Sequence, residues 1–376
     1  MTTLDNSKKR VVIKVGSSSL TSRHGEISRR KLEKLADEIA LLKDAGHEIV
    51  FVSSGAVAAG YRKLGCINRP TSLPEKQAAA SIGQGLLIEA YSEIFLSHGY
   101  IASQILITRS DFSDETRYHN VRNTLNVLLE RGIIPIVNEN DTVTVDRLKF
   151  GDNDTLSAKV AGLIEADQLI ILSDIDGLYD SDPRKNEHAK LLEKVYEITP
   201  EIEQGAGGSG SVVGTGGMKS KIDAVKIAMA SGISTFLGKA TISNILNDAV
   251  QGTAKGTYFE VSTETVNLDQ KKQWIAFHSG PKGEIFINEQ GKLSIVECKQ
   301  SILSSHIEKV NGRFEKGSVI RILDHQSERV GLGVVNYSTE ELELIMKSIG
   351  KELRNDEVVQ FEHFVCELEL SLPVVI

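Results

Sequence analysis

The chain has few of the features that stabilise a secreted protein or anchor a protein in a membrane. Its three cysteines, Cys66, Cys298 and Cys366, are odd in number and far apart, so they form neither a disulfide framework nor a Cys-x-x-Cys metal site. No apolar run approaches the roughly 18 residues of a membrane-spanning helix. The segment MTTLDNSKKR at the start also lacks the apolar core of a signal peptide. We therefore expect a cytoplasmic protein without a membrane partner.

Several well-known catalytic motifs are also missing. The sequence contains no His-Glu-x-x-His, Gly-x-Ser-x-Gly or Gly-x-x-x-x-Gly-Lys-Ser/Thr segment, and its nine histidines form no cluster. A hydrolase with a histidine base or a bound zinc is therefore not expected, and neither is a P-loop enzyme. Residues 205–210 match Gly-x-Gly-x-x-Gly, but they do not follow the apolar strand that a dinucleotide site requires.

The composition that is present is typical of a globular protein. Of the 376 residues, 40% are hydrophobic and 25% are charged, which predicts two or three folded domains rather than a disordered chain. The 51 acidic and 43 basic residues give a net charge of −8. This negative balance argues against nucleic acid or an anionic membrane as the main partner.

Roughly the first 260 residues alternate short β-branched runs with longer amphipathic stretches. Five apolar runs predict strands, at 11–16, 49–52, 105–108, 133–137 and 168–173. Between the first two, the apolar spacing of residues 32–42 predicts a helix that Ser28 caps and Gly46 ends. Such alternation is typical of an α/β fold, in which helices cover both faces of a largely parallel sheet. Ligands of such sheets bind at the carboxyl ends of the strands.

The pattern changes at a polar joint over 256–272, of which we assign 261–272 to a linker. Residues 273–376 contain short alternating segments with turn signals, which predict a small β-rich second domain. Within it, GEIFINEQGKLSIVE predicts a β-hairpin with its turn between Asn288 and Gly291. Residues 272–376 carry 12 lysine or arginine residues against 16 acidic ones. Because RNA-binding surfaces are normally basic, RNA binding by this domain is not favoured.

Small and polar residues follow the first two predicted strands. Lys14 and Gly16 end the first strand, where a glycine lets backbone amides approach a phosphate and a lysine supplies positive charge. A surface lysine beside a turn is the alternative interpretation. Ser54 and Gly55 follow the second strand and begin a helix, whose exposed amides suit a carboxylate or a phosphate. A simple N-cap serine explains Ser54 equally well.

Acidic and amide side chains cluster after the later strands. Residues 138–141 end the fourth strand, and residues 152–154 begin a helix shortly afterwards. Two such clusters exceed what helix capping requires, so we assign them to the functional site. Ser173 and Asp174 follow the most apolar strand, where aspartates suit a metal or a nucleotide, although an Asp-Gly turn explains part of this segment.

A glycine-rich segment at 205–217 leads into a further helix that carries Lys219 and Lys221, and this combination suits an anionic ligand. Lysines and glycines for phosphates, without a histidine base, suit phosphoryl transfer to a nucleophile that needs no deprotonation. A carboxylate is such a nucleophile, because its ordinary pKa is about 4.3. The remaining difficulty is to bring two anions together, which lysines, helix N-termini and Mg²⁺ overcome electrostatically.

Six segments together resemble one known family. In chain order they are VVIKVGSSSLT, FVSSGAVAAG, IVNENDTV, FGDNDTLSA, SDIDGLYDSDPR and GTGGMKSK. In this order and at these intervals they resemble the bacterial glutamate 5-kinases of the amino acid kinase superfamily, from residue 10 to about 260. Two later segments, VNGRFEKGSVIRI and VGLGVVNYSTEEL, resemble the PUA domain that many of these kinases carry. The tail from Val358 onward resembles the family less closely, and we assign it no role.

The resemblance implies a fold and a set of site residues. The fold is a three-layer αβα sandwich over residues 1–260, followed by a PUA-like domain over 273–376. Three residues are implied to be catalytic, with both lysines neutralising the phosphoryl group and the aspartate holding them: Lys14, Lys221 and Asp154. Three are implied to bind glutamate: Ser54, Asp141 and Asn153. The implied nucleotide site consists of Lys14, Ser173, Asp174, Thr215, Gly216, Gly217, Met218, Lys219, Ser220 and Lys221. Ser220 stands where the family commonly has threonine.

The activity implied by the resemblance is ATP + L-glutamate → ADP + γ-glutamyl phosphate, the first step of proline biosynthesis. Mg²⁺ would be held mainly through the ATP phosphates, with no direct protein ligand. The resemblance also implies feedback inhibition by proline, a homo-oligomer (dimer or tetramer) and hand-over of the labile product to glutamate-5-semialdehyde dehydrogenase. Two alternatives stay open: an acetylglutamate or aspartate kinase of the same superfamily, and an RNA-binding PUA protein.

Overall fold

The computed structural model describes residues 7–22, 26–144, 153–183, 186–206, 217–261, 268–348 and 356–367. The chain divides into two compact units. The first comprises Met1–Asp111 and Thr116–Thr263, and the second comprises Phe112–Glu115 and Glu264–Ile376. A short internal segment therefore groups with the second unit, which a single boundary near residue 260 does not anticipate. Within the described ranges, none of the helices is long and apolar enough to cross a membrane.

The first unit is built on an eight-stranded sheet. Its strands are β1 (Arg10–Val15), β2 (Glu48–Ser53), β3 (Ala102–Ile107), β4 (Ile134–Glu139), β5 (Gln168–Ser173), β6 (Lys194–Val195), β7 (Ser234–Lys239) and β8 (Gly256–Phe259). The spatial order is β3-β4-β2-β1-β5-β7-β8-β6. The pairs from β3 to β7 are parallel, and β8 runs antiparallel to β7. The expected largely parallel sheet is thus confirmed.

Helices cover both faces of this sheet. The described helices up to residue 261 are α1 (Ser17–Leu20), α2 (Arg29–Asp44), α3 (Ala56–Gly60), α4 (Leu73–Ser97), α5 (Arg109–Ser113), α6 (Glu115–Glu130), α7 (Asn153–Leu163), α8 (Pro200–Ala206), α9 (Met218–Ala230) and α10 (Ile245–Val250). On one face α2 packs against α4 and α10, and elsewhere α7 packs against α9. Central strands such as β1 and β5 are buried along almost their whole length, as expected for a sheet covered on two sides. The predicted αβα sandwich is therefore confirmed.

Helix α2 forms where the spacing of its apolar residues predicts it. Ser28 occupies the N-cap, and the buried side chains of the helix include Leu32, Leu35, Ile39 and Leu42. Gly46 follows the helix with a φ of +89°, a left-handed conformation that glycine adopts without steric cost. Gly46 therefore marks the C-terminal end of the helix as predicted, whereas Ser28 occupies the N-cap position without a capping hydrogen bond from its side chain.

Helices α3 and α4 approach each other more closely than side chains would allow. A Cβ atom on Gly60 would lie 1.9 Å from the carbonyl oxygen of Ala79, and one on Gly83 would lie 1.8 Å from that of Ala56. Only glycine fits at either position, because real Cβ atoms do not approach backbone that closely. This contact sets α4 directly beside the segment that follows β2.

The second unit has a six-stranded sheet. Its strands are β9 (Gly283–Ile287), β10 (Ile302–Leu303), β11 (Ile307–Gly312), β12 (Val319–Asp324), β13 (Arg329–Val335) and β14 (Glu357–Cys366), in the order β10-β14-β13-β12-β9-β11. β9 pairs with β12 in parallel, and the other described pairs are antiparallel. Among the described residues of this unit, three α-helices accompany the sheet: α11 (Gln270–Gln273), α12 (Glu289–Val296) and α13 (Thr339–Ser348). The expected β-rich second domain is confirmed.

One sequence interpretation of this second unit needs correction. The hairpin expected across Asn288 to Gly291 is wrong, because β9 is followed by α12 instead of a second strand. The Asn288 side chain accepts a hydrogen bond from the backbone N–H of Gly291 at 2.9 Å, so it caps the helix. Residues 358–366 of the tail, to which we assign no role from the sequence, belong to β14, which pairs with β13 and β10.

Candidate active site

The carboxyl ends of four neighbouring parallel strands bring the polar sequence clusters to one edge of the sheet. β4, β2, β1 and β5 lie side by side, and Lys14, near the end of β1, pairs in register with Val52 of β2 and Ile171 of β5. Ser54 comes directly after β2, and Asp141 follows β4 by two residues. This edge is where ligands of open α/β sheets bind.

A buried ionic cluster occupies the centre of this edge. Asp154, near the start of α7, is 0% exposed, and Lys14 and Lys221 are 5% and 6% exposed. Lys14 forms an ion pair with Oδ1 of Asp154, and Nζ of Lys221 lies 3.1 Å from Oδ2. The hydroxyl of Ser220 donates to the same Oδ2 at 2.9 Å. The structure thus brings together the three residues implied to be catalytic.

The charge of this cluster follows from its contacts. Burial opposes ionisation of Asp154, but the charges of Lys14 and Lys221 outweigh it and hold the pKa of the carboxyl below its usual range. Two ammonium groups and one carboxylate leave one positive charge in a place shielded from water. A group of this kind can neutralise the oxygens of a phosphoryl group with little rearrangement.

Beside the cluster lies a pocket of about 240 Å³. The three residues implied to bind glutamate, Ser54, Asp141 and Asn153, all line it. The other lining residues come from α1, the start of α3, the loop between α3 and α4, the start of α4 and the end of β4: Ser17, Gly55, Ala56, Val57, Ala58, Arg69, Pro70, Leu73, Lys76, Gln77, Asn138 and Glu139. Because this wall carries both acidic and basic side chains, the pocket suits a small zwitterion.

The Asn153 carboxamide forms the inner wall of the pocket. Its Nδ2 donates toward the backbone oxygen of Ser53 at 3.0 Å, the hydroxyl oxygen of Ser54 at 2.9 Å and Oδ1 of Asn138 at 2.9 Å. Asn138, which is 3% exposed, donates in turn to Oε1 of Gln84 at 2.8 Å. Asn153 is therefore tied to the ends of β2 and β4, the strands that carry the rest of the pocket.

The residues assigned to the nucleotide are brought together only in part. Lys14, Ser220 and Lys221 meet at Asp154, whereas Ser173 and Asp174 lie at the end of β5, where the Ser173 hydroxyl donates to Oδ1 of Asp174 at 3.1 Å. Gly217, Met218 and Lys219 form the start of α9, with Gly217 at its N-cap. In the described ranges, the Ser220 hydroxyl donates to the backbone oxygen of Gly217 at 2.9 Å, but no hydrogen bond or ion pair joins the side chains of Ser173 and Asp174 to the start of α9. Thr215, Gly216 and Asp152 lie outside the described residues.

Comparison with known proteins places this site in a family. A sequence profile of the amino acid kinase family matches residues 9–239. "Glutamate 5-kinase 2" of Bacillus licheniformis is 65% identical over 373 residues, which cover 99% of this chain and all of the relative. The protein of the same name from Bacillus subtilis is 63% identical over 372 residues, again with 99% and 100% covered. The chain belongs to the glutamate 5-kinase family of amino acid kinases.

Membership of this family accounts for both units. A profile of the PUA domain matches residues 283–356, in the second unit. "Glutamate 5-kinase" of Thermoanaerobacter sp. is 44% identical over 363 residues, covering 95% of this chain and 97% of the relative. Among solved structures, a carbamate kinase from Giardia lamblia bound to AMP-PNP aligns with a TM-score of 0.51 at 17% identity, over 68% of this chain and 100% of that one. That likeness extends to the fold alone.

Three polar residues of α4 escaped the sequence interpretation, although a signal for them exists. Gln77, Gln84 and Tyr91 are spaced seven residues apart, so they lie on one face of the helix. Gln77 donates to the backbone oxygen of Thr144 at 3.1 Å, Gln84 accepts from Asn138, and the Tyr91 hydroxyl lies 3.0 Å from that of Ser53. Each one therefore contacts a segment that borders the pocket or underlies its wall.

Proposed function

We propose that this kinase transfers the γ-phosphoryl group of ATP to the γ-carboxylate of L-glutamate, giving ADP and L-glutamyl 5-phosphate. One observation supports this most strongly: Asn153, in the wall of an amino-acid-sized pocket, directly precedes Asp154, which holds the two buried lysines. The amino acid and the phosphoryl group would therefore meet across the start of one helix. The names of the full-length relatives support the same substrate.

The reaction makes few chemical demands on the protein. An oxygen of the ionised γ-carboxylate attacks the γ-phosphorus of ATP, the bond between that phosphorus and its bridging oxygen breaks, and ADP leaves with the electron pair. No proton has to be removed, because a carboxylate is ionised at neutral pH. What remains is to align two anions and to neutralise the charge spread over the phosphoryl oxygens. We assign that task to Lys14 and Lys221, held in place by Asp154.

The pocket offers a matching partner for each end of glutamate. The Asp141 carboxylate suits the α-ammonium group, and the helix start at Ser54 and Gly55 suits a carboxylate. ATP arrives as its magnesium complex, and we expect its phosphates to lie between Lys14 and the start of α9. Since the Asp154 carboxylate is already engaged by two lysines, we expect the magnesium ion to be held through the phosphates. Ser173, Asp174 and residues 215–221 are our candidates for the nucleotide site.

The remaining parts of the proposal concern the setting of the reaction. L-glutamyl 5-phosphate is an acyl phosphate, which water hydrolyses, so we propose that it passes to a glutamate-5-semialdehyde dehydrogenase on the route to proline. Proline carries an α-carboxylate and a cationic amine like those of glutamate, and we propose that it inhibits at the same pocket. We also expect a cytoplasmic homo-oligomer, a dimer or a tetramer.

Incubation with ATP, Mg²⁺ and a panel of acids tests the substrate. Hydroxylamine traps an acyl phosphate as a hydroxamate, so glutamate, aspartate and N-acetylglutamate can be compared in one assay. We expect the hydroxamate from glutamate alone, and the same assay without ATP is the control. A hydroxamate from aspartate or N-acetylglutamate, but not from glutamate, would contradict the proposal and favour another carboxylate kinase of the family.

A salt-dependent RNA gel shift tests the alternative role of the second unit. Residues 272–376 carry a net charge of −4, whereas RNA-binding surfaces are normally basic. We therefore expect no shift at physiological salt. A specific shift together with no hydroxamate from any acid would favour the RNA-binding alternative.

A further inference from the structure

The hydrogen bonds behind the pocket fix which way each carboxamide points. Oδ1 of Asn138 accepts from the backbone N–H of Glu139 at 2.9 Å. Since a backbone N–H can only donate, the oxygen of Asn138 has to face it. The Nδ2 of Asn138 then points to Oε1 of Gln84, 2.8 Å away. A backbone group thus sets the orientation of the Asn138 carboxamide.

The same argument orients Asn153. Its Nδ2 lies 3.0 Å from the backbone oxygen of Ser53, which can only accept, and 2.9 Å from the oriented oxygen of Asn138. If the Asn153 carboxamide were reversed, its oxygen would face the backbone oxygen of Ser53 and Oδ1 of Asn138. Those two acceptors would then lose their donor, which costs about 1–3 kcal/mol for each group. The nitrogen of Asn153 is therefore committed to the protein, and its oxygen is the group that remains for a ligand.

Asn153 and Ser54 present an acceptor and a donor to a ligand in the pocket. Asn153 lines the pocket, and among the described residues its Oδ1 accepts no hydrogen bond. The neighbouring Ser54 hydroxyl oxygen accepts from Asn153, which leaves its proton free to be donated into the pocket. An acceptor at Asn153 beside a donor at Ser54 matches a cationic amine and a carboxylate.

We propose that Gln84 and Asn138 are positioning residues that hold Asn153 with its carbonyl oxygen toward the pocket, so that Asn153 accepts a hydrogen bond from the α-ammonium group of the substrate. This inference rests on the proposed glutamate kinase activity. It states which charged group of the substrate Asn153 recognises and how Asn138, in the pocket wall, and Gln84, behind it, impose that choice. Gln84 is half-buried on α4, one step behind the pocket wall, and acts only through Asn138.

A substrate that lacks the amine tests the polarity of Asn153 directly. Glutarate keeps both carboxylates of glutamate but has no ammonium group. We expect Asn153→Ala to lower kcat/KM for glutamate about 10- to 100-fold, the loss of a hydrogen bond to a charged group, and to change kcat/KM for glutarate less than about 3-fold. Equal losses with both substrates would overturn the proposal, because Asn153 would then donate to a carboxylate. Where glutarate turnover is too slow, its inhibition constant against glutamate supplies the same comparison.

A matched pair of variants at Gln84 tests the positioning role. Gln84→Glu keeps an acceptor for Asn138, whereas Gln84→Met has a similar length and offers none. We expect Gln84→Met to raise KM for glutamate about 3- to 10-fold with kcat nearly unchanged, and Gln84→Glu to restore the wild-type KM. A merely structural role would lower kcat and the melting temperature in both variants alike, and that result would overturn the proposal. If wild-type enzyme gives no hydroxamate from glutamate, the proposed function itself fails instead.

Discussion

Asn153 and Asp154 are neighbours in the chain, yet the networks around them differ in kind. Asn153 is surrounded by neutral groups, the backbone oxygen of Ser53, the hydroxyl of Ser54 and the carboxamide of Asn138. Asp154 is surrounded by charge, with Lys14 on one oxygen and Lys221 on the other. One network therefore consists of hydrogen bonds between neutral groups, and the other of two ion pairs to which the Ser220 hydroxyl adds a hydrogen bond.

This difference indicates that two adjacent residues of α7 serve different steps, Asn153 the binding of glutamate and Asp154 the transfer of the phosphoryl group. Neutral hydrogen bonds fix the shape of the pocket without adding a charge that water would have to solvate. Charged groups are costly to bury, and they act most strongly where charge develops in the reaction. We therefore expect changes near Asn153 to act mainly on glutamate binding, and changes near Asp154 to act mainly on turnover and stability.

The largest expected effect is on turnover when a lysine of the ionic cluster is removed. Lys14→Met and Lys221→Met keep the stem of the side chain and delete its charge. Each should lower kcat on the order of 10²–10³-fold, about 3–4 kcal/mol, because one preorganised charge opposite the phosphoryl group is lost. Steady-state rates measured by hydroxamate formation check this. Near-normal turnover in a folded variant would show that the substituted lysine does not take part in the reaction.

Lys226→Met provides the matched control for the lysine variants. Lys226 lies on the same helix as Lys221, but its side chain is 36% exposed and pairs with Glu203. Its loss should leave kcat within about 2-fold of wild type, since an exposed ion pair contributes little. Lys221 is instead buried against Asp154, so Lys221→Met should also lower the melting temperature.

The second effect concerns stability and its dependence on pH. Asp154→Asn leaves two buried ammonium groups without a counter-charge, which should cost about 3 kcal/mol of unfolding free energy. The folded-state pKa of Asp154 lies below its usual range, despite burial, because of Lys14 and Lys221. The stability that it contributes is therefore fully present above the unfolded pKa of about 3.9 and is lost as the pH falls through the folded value.

Denaturant unfolding of wild type and Asp154→Asn across a pH series checks this. We expect a constant difference between the two proteins at neutral pH, and a shrinking one below about pH 4. A difference that stays constant down to pH 2 would mean that Asp154 is not held ionised by the lysines.

The third effect concerns proline. Because proline and glutamate share a cationic amine and an α-carboxylate, Asn153→Ala should weaken glutamate binding and proline inhibition together, each about 10-fold or more. The inhibition constant of proline and the KM for glutamate, measured on the same preparation, make the comparison. Unchanged inhibition alongside weakened glutamate binding would place the proline site elsewhere.

The smallest expected effect on turnover comes from removing the second unit. Apart from the nucleotide residues that lie outside the described ranges, every residue assigned to the site belongs to the first unit, so a chain that ends near Val261 should fold and keep kinase activity. It would, however, expose Phe112, whose backbone oxygen accepts from the Trp274 indole at 3.0 Å and whose ring stacks on His278.

Phe112→Ser in the shortened chain is a useful companion variant, since it removes the newly exposed ring. We expect it to improve solubility without changing kcat. A shortened chain that is soluble and folded but inactive, with or without Phe112→Ser, would show that the second unit contributes to the reaction.

Much of the site could be predicted from the sequence, although its residues are far apart in the chain. Each cluster directly follows a strand or begins a helix, and parallel strands bring such ends to one edge. This is why Lys14, Ser54 and Asp154 could be grouped although about 140 residues separate the first from the last. The ion pairs of Lys221 could not be deduced from spacing, because a contact between α9 and α7 depends on how the two helices pack.

The errors have physical causes as well. Residues 283–297 alternate as a hairpin would, but Asn288 satisfies the first turn of α12 with its own side chain, and a cap of this kind decides between turn and helix. The β14 strand was not predicted because its buried residues occur as two adjacent pairs, Val358–Val359 and Phe364–Val365, instead of alternating with exposed ones. Gln84 and Tyr91 were missed because a polar face on a long helix is usually exposed to solvent, whereas here it contacts the strand ends.

The central claim is that the two neighbouring networks act on different steps. It is tested most directly by measuring kcat and KM for glutamate in Lys221→Met and Asn153→Ala side by side, at saturating ATP and Mg²⁺. We predict that Lys221→Met loses kcat on the order of 10²–10³-fold with KM for glutamate nearly unchanged, and that Asn153→Ala raises KM about 10-fold or more with a much smaller loss of kcat. The same pattern of kcat and KM in both variants would contradict the division of work between Asn153 and Asp154.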